Sequence, residues 1–208
     1  MRAILPCLLA ALILSACNQV HSVEPLVMGQ NGAPPLREGL WVSADRDCAF
    51  EAGKPLDQWP DCADPVEVSG GKFTGVREKD KDGLISFSLE GRDPAIMQLR
   101  VEQDAGGAAP SDDEEKLGRY FYYGLEARRL DEQGRIVEAA LWPALCGPPP
   151  ASPGKGRHKQ YVTRHPLPGM TIVGDNCRAD RLSAVRRAAA ESRKWSQAQS
   201  IHWVRDLP

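Results

Sequence analysis

The sequence predicts a mainly β, α+β domain: an antiparallel sheet or partly closed barrel, with one C-terminal helix packed on it and two disulfides. Three observations carry that expectation. Short apolar-alternating segments recur along the chain and are separated by Gly-, Pro- and Asp-containing turns. One amphipathic stretch of helical period appears, near the C-terminus. Four cysteines, Cys48, Cys62, Cys146 and Cys177, lie inside the β-rich region.

Taken in order, Gly39-Leu40-Trp41-Val42-Ser43 reads as a first strand, and Val66-Glu67-Val68 alternates as a second would. Lys72-Phe73-Thr74-Gly75-Val76 follows across a Ser69-Gly70-Gly71 turn. In Leu84–Leu89 the residues Ile85, Phe87 and Leu89 share one face, and Ile96–Val101 is the next strand. The clearest hairpin pairs Tyr120–Arg128 with Ile136–Trp142 around Asp131-Glu132-Gln133-Gly134, and Pro143 ends it. Gln160–Thr163 and Met170–Val173 read as short strands, and Ile201–Val204 as the last. The helix is expected from about Asp180, acting as its cap, to Trp195, with Leu182, Val185, Ala189 and Trp195 on or near the face toward the sheet. Residues 104–117, with Ser111-Asp112-Asp113-Glu114-Glu115, form an acidic solvated loop whose spacing is not that of an EF-hand.

The first seventeen residues have a different character. Arg2 precedes an apolar run, Ala3 to Leu14, shorter than the roughly 20 residues of a membrane-spanning helix. The run ends in Leu14-Ser15-Ala16-Cys17, small residues directly before a cysteine. This resembles the signal peptide and lipobox of bacterial lipoproteins. The resemblance implies removal of residues 1–16, acylation of Cys17 and a periplasmic location. Two acyl chains give stable anchoring where one would not, at about 0.8 kcal/mol per buried methylene. Asn18, where the family's inner-membrane retention signal has aspartate, implies the outer membrane.

Residues 17–36 then read as a lipidated flexible tether, because Pro25, Gln30-Asn31-Gly32 and Pro34-Pro35 interrupt any period. Its residues 18–36 would reach on the order of 65 Å if stretched. A single β-rich domain is expected over residues 37–208. In an oxidising compartment the four remaining cysteines are expected as disulfides. Four cysteines allow three pairings, and proximity favours Cys48–Cys62 and Cys146–Cys177, worth roughly 3 and 4 kcal/mol by loop entropy. The competing reading is a metal site, since His158 and His165 lie between Cys146 and Cys177, but no close cysteine pair supports it.

The chain's 26 basic and 28 acidic residues give a net charge of −2, which lacks the basic excess of a nucleic-acid binder. There is no Gly-x-Ser-x-Gly elbow, phosphate loop or dinucleotide fingerprint, so no catalytic residue, metal or cofactor is assigned. His21 falls in the tether, and His202 lies in an apolar alternation as a partly buried side chain. The candidate binding surface comprises Trp59 in the Cys48–Cys62 loop and the cationic Arg157-His158-Lys159 in the stretch Lys155–Arg164. The expected role is therefore a non-enzymatic one: a membrane-anchored envelope protein binding other envelope proteins or polymers. Gly39-Leu40-Trp41 also resembles the Gly-x-Trp of lipocalins, which implies as an alternative a barrel carrying a small apolar ligand. A hydrolase with an unrecognised site is the third class.

Overall fold

The computed structural model describes residues 17–29, 31–44, 48–77, 84–102, 116–150 and 162–207. The strands are β1 (Val20–Ser22), β2 (Gly39–Ala44), β3 (Ala63–Ser69), β4 (Lys72–Gly75), β5 (Leu84–Glu90) and β6 (Ala95–Val101). They continue with β7 (Tyr120–Leu130), β8 (Ile136–Pro143), β9 (Met170–Val173) and β10 (Asn176–Ala179); helix α1 (Leu182–Ser192) precedes β11 (Gln199–Arg205). Eight strands run in the order β6-β5-β4-β3-β2-β11-β8-β7, and β6 pairs with β7 to close them into an antiparallel barrel. Closure leaves those eight with no free edge.

The period-2 pattern decides the barrel's inside. Trp41, Val68, Ile85, Phe87, Leu89, Met97, Leu99, Tyr123, Leu125, Leu141 and Ile201 form one buried cluster. Register puts Met97 beside Leu89 and Leu99 beside Phe87, so successive strands present matching faces inward.

The two ends differ. At one end the connections are short: Ser69 to Lys72 turns through Gly70 (φ 55°) and Gly71 (φ 74°), and two positive φ angles suit the twist of a two-residue hairpin. The β7–β8 turn is held by the Asp131 carboxylate, which accepts from the Gln133 and Arg135 amides. The other end carries the long connections: β2 to β3, β4 to β5, β6 to β7, and β8 to β11 by way of α1.

Two further clusters cover the barrel's outer wall. Leu40, Val42, Trp59 and Ala63 pack with Phe50 and Leu56 of the loop closed by Cys48–Cys62. On the β6–β7–β8 side, Ile96 and Tyr122 pack against Val20, Val27, the Cys146–Cys177 disulfide and the Ala184, Val185, Ala188 and Ala189 face of α1. Trp142 Nε1 donates to the Ala189 carbonyl (2.7 Å), and the Leu145 amide donates to Ser192 Oγ (2.7 Å), which fixes the helix on the wall. Gly124 makes room for Trp142: a Cβ there would lie 2.4 Å from the indole.

Several expectations are corrected. Residues 18–29 and 31–36 are not a tether but part of the domain, and Gly39–Ala44 is the second strand, not the first. β1 adds to β7 antiparallel and to β10 in parallel, taking the edge of β7 that β8 has left after Pro143. The prolines and glycines that interrupt a period do not prevent side-chain and backbone bonds to the barrel, and those bonds order the segment. The helix starts at Leu182, with Arg181 at the cap position and no side-chain cap. Asp180 instead pairs with Arg178 (3.2 Å), and Trp195 lies past the helix end. Val162 and Thr163 are not in a strand, Gln160 and Tyr161 lie outside the described residues, and the partner of β9 is β10. Residues 1–16 and the acidic 104–115 are also outside them.

Candidate functional site

Two places combine structure with chemistry: the interior of the barrel at its long-loop end, and the start of the described chain.

Inside the barrel, an apolar slot lies between Trp41, Val66, Phe73, Leu99, Tyr123 and Leu141. Its volume is about 40 Å³. The lining includes Ser43, Gly75 and Gln199, residues at the long-loop ends of β2, β4 and β11, so the slot points toward that end. Two of its polar side chains bond to each other, with Gln199 Nε2 donating to Ser43 Oγ (2.5 Å). A void needs about 10–15 Å³ to hold one water-sized group, so the slot takes about three such groups. That matches the tip of an alkyl chain or one aliphatic side chain. It is far below the roughly 300–1,000 Å³ that enclose a whole small-molecule ligand.

The opposite end is plugged. Residues 31–38 cross it, with the Ile136 amide bonded to the Pro35 carbonyl (2.7 Å) and the Arg37 amide to the Ile136 carbonyl (2.9 Å). Leu36 closes the floor at 4% exposure. Trp41 Nε1 donates to the Arg37 carbonyl (2.7 Å), Trp203 Nε1 donates to the Glu38 carbonyl (3.0 Å), and the Arg37 guanidinium lies 3.5 Å over the Trp203 ring. Gly39 has φ 126°, and a Cβ there would meet the Arg205 carbonyl at 2.6 Å. The Gly-x-Trp glycine is therefore required by close packing at the plug, and its tryptophan forms the floor of the slot.

Asn18 is 3% exposed and fully engaged. Its amide donates to the Asp175 carbonyl (2.6 Å), and its carbonyl accepts from the Cys146 amide (2.8 Å). Its side chain donates to the Gly147 carbonyl (2.9 Å) and accepts from the Thr163 amide (3.0 Å). Further along, Ser22 Oγ lies 2.5 Å from Tyr122 Oη. Gln98 Oε1 accepts from Leu26 N (2.7 Å), Val27 N (2.9 Å) and Tyr122 Oη (3.2 Å), while Gln98 Nε2 donates to the Val27 carbonyl (3.1 Å). Cys17, the residue before this lattice, has a free and partly exposed thiol. Burial, and then the Asp175 carboxylate, raise it above the usual thiol range, which disfavours the thiolate.

The predicted disulfides form as expected from proximity, Cys48–Cys62 and Cys146–Cys177. Trp59 corrects the binding-surface expectation: it is 5% exposed, its Nε1 donates to the Lys54 carbonyl, and its ring packs on Phe50 at 4.6 Å. An aromatic in a disulfide-closed loop finds more apolar contact on the barrel wall than in water. Arg157, His158 and Lys159 lie outside the described residues.

His21, set aside with the tether, is on β1 against Phe121. Burial lowers its pKa to about 4 against an opposing hydrogen bond to the Gly118 backbone. His202 stacks on Phe50 (5.8 Å), and burial lowers its pKa too, with Glu138 opposing and Arg129 adding to the shift. His165 is exposed. Among the described residues, no group of three His, Cys, Asp or Glu side chains converges as metal ligands. Sequence reasoning missed the slot and the Asn18 and Gln98 networks. The slot's signal was present in the alternating apolar residues, but their closure into a ring depends on the β6–β7 pairing. Compared with known protein families, curated proteins and solved structures, the chain matches none of them.

Proposed function

We propose that this chain is a lipid-anchored envelope protein with a non-enzymatic binding role, and that the long-loop mouth of its barrel is the binding element. One observation carries the reading: a closed barrel, plugged at one end, with an apolar slot facing the other. The slot accepts an apolar tip presented by an envelope partner, and the long connections around the mouth supply the remaining contact. Attachment rests on the lipobox-like Leu14-Ser15-Ala16-Cys17, with Cys17 the lipidated residue and the outer membrane its destination. The cationic Arg157, His158 and Lys159 add affinity for anionic envelope polymers.

Titration of the isotope-labelled domain with hexanoate, followed by NMR, tests the slot. The expected result is saturable shifts at Tyr123, Leu141 and Ile201, lost in Val66→Phe, whose larger ring occupies the slot. Shifts that are absent, or that survive in Val66→Phe, refute binding there.

A second reading, the lipocalin-like carrier, is favoured by Trp41 at the plugged end beneath an apolar interior. The slot volume weighs against it, because a carrier that encloses its ligand needs several times that space. Native mass spectrometry of the protein taken from membranes separates the two: a stoichiometric apolar adduct supports the carrier, and a bare domain supports the mouth as a docking point.

A further inference from the structure

We infer that the lipid anchor holds this domain flush against the membrane, with the wall around the Gly174-Asp175 turn facing the lipid headgroups. The inference rests on the proposed acylation of Cys17 and adds to it the geometry of attachment.

A flexible tether of nineteen residues after the acylated cysteine would let a domain drift on the order of 25 Å as a coil. Here there is no such segment. The residue after Cys17 is Asn18, which is 3% exposed and bonded through its amide, its carbonyl and both ends of its side chain. Gln19 follows at 3% exposure, its amide donating to Asn176 Oδ1 (2.8 Å), and Val20 is fully buried. Consecutive Cα atoms are about 3.8 Å apart, so the acylated residue lies one Cα spacing from the folded wall. A diacyl group on Cys17 places its glyceryl moiety at headgroup depth, and the wall must come with it.

The partners of Asn18 identify that wall. They are the carbonyls of Asp175 and Gly147 and the amides of Cys146 and Thr163. Pro148, Arg164, His165, Gly174 and Asp175 are among the exposed residues that flank them. On the same small sheet, Ile172 pairs opposite Cys177, which pairs with Val20, and it is 38% exposed, an aliphatic side chain available to the interface. The lipid surface therefore meets the barrel on its side, at the β7–β8 seam where β1 inserts.

The test uses full-length protein processed in a bacterial host, purified with its lipid and reconstituted into vesicles that contain a nickel-chelating lipid. A nitroxide is placed at position 175, beside the anchor, or at position 72, on β4, four strands round the barrel from β8. Relaxation of the nitroxide by the nickel lipid is expected to be severalfold greater at 175 than at 72. Insertion of about 20 Gly/Ser residues between Cys17 and Asn18, a coil of on the order of 25 Å, should erase the difference. Equal relaxation at 175 and 72 in the protein without the insert overturns flush mounting. So does a difference that the insert leaves unchanged. The mass of the N-terminal peptide from the same sample separates the two ideas: equal relaxation with acylated Cys17 removes the mounting alone, and an unmodified cysteine removes the anchor as well.

Discussion

Gln98 is the side chain whose loss should most clearly show that residues 18–36 belong to the folded domain. It is 5% exposed on the outer face of β6 and makes four hydrogen bonds, three of them to the backbone of Leu26 and Val27. Gln98→Met keeps a similar length but offers no acceptor to the two amides and no donor to the Val27 carbonyl. A buried donor left without a partner costs about 1–3 kcal/mol. Val27 is 2% exposed and bears the full cost, while Leu26 is partly buried and can recover part of it from water. About 3 kcal/mol is the expected loss, after the small gain from the added apolar surface. For a domain of this size, each kcal/mol shifts Tm by about 2–4 °C, so thermal unfolding should move down by about 6–12 °C. Amide exchange at Leu26 and Val27 should accelerate in step. The control is Tyr122→Phe, which removes one hydroxyl while Ser22 Oγ keeps its bond to the Glu24 carbonyl, and should cost only about 1 kcal/mol. A Gln98→Met melting curve that overlays the parent, with unchanged exchange at Val27, would refute the packed N-terminal segment.

Other outcomes follow from the same contacts. Because His21 is held neutral with a folded pKa of about 4, against 6.5 in the ordinary state, the unfolded chain binds a proton that the folded one refuses. Stability present above pH 6.5 is therefore lost as pH falls toward 4, by on the order of 3 kcal/mol; His21→Phe should flatten that limb of a urea-unfolding series measured across pH. Gly124→Ala should cost about 1–3 kcal/mol by forcing Trp142 away from Ala189, read as a lowered urea midpoint and altered near-ultraviolet dichroism. Replacing Cys146 and Cys177 together by alanine should lower stability by about 4 kcal/mol, and replacing Cys48 and Cys62 together by about 3 kcal/mol, by calorimetry. Charge reversal with Arg157→Glu and Lys159→Glu should weaken co-sedimentation with anionic envelope polymers, and unchanged co-sedimentation removes the cationic stretch from the account.

The strands from Gly39 to Trp142 were legible because their signals are local. Alternation names the inward face of Ile85-Phe87-Leu89, and Gly70-Gly71 names a tight turn. The disulfide pairing was legible from proximity. The N-terminal segment was not, for a physical reason: it is ordered by partners far away in sequence. Asn18 bonds to Gly147 and Thr163, and Val27 to Gln98, so nothing within the segment itself carries the pattern. The same holds for Trp59, whose aromatic character suits a binding surface or a wall contact equally until Leu40 and Val42 are placed beneath it. Asp180 shows a competition that spacing cannot resolve, since a carboxylate next to the start of the helix can cap it or pair with Arg178; the cap position falls to Arg181, and the ion pair is what forms. The slot depends on the closure of β6 on β7, a pairing across the long connection between them.

The proposed anchor decides where all of this operates. Protein extracted from the membranes of a bacterial host should yield, on tryptic digestion, an N-terminal peptide spanning Cys17–Arg37 whose mass includes a diacylglyceryl group on Cys17. A Cys17→Ser protein should leave the membrane fraction. Recovery of a peptide that still carries residues before Cys17, or of Cys17–Arg37 with an unmodified thiol, would contradict the account.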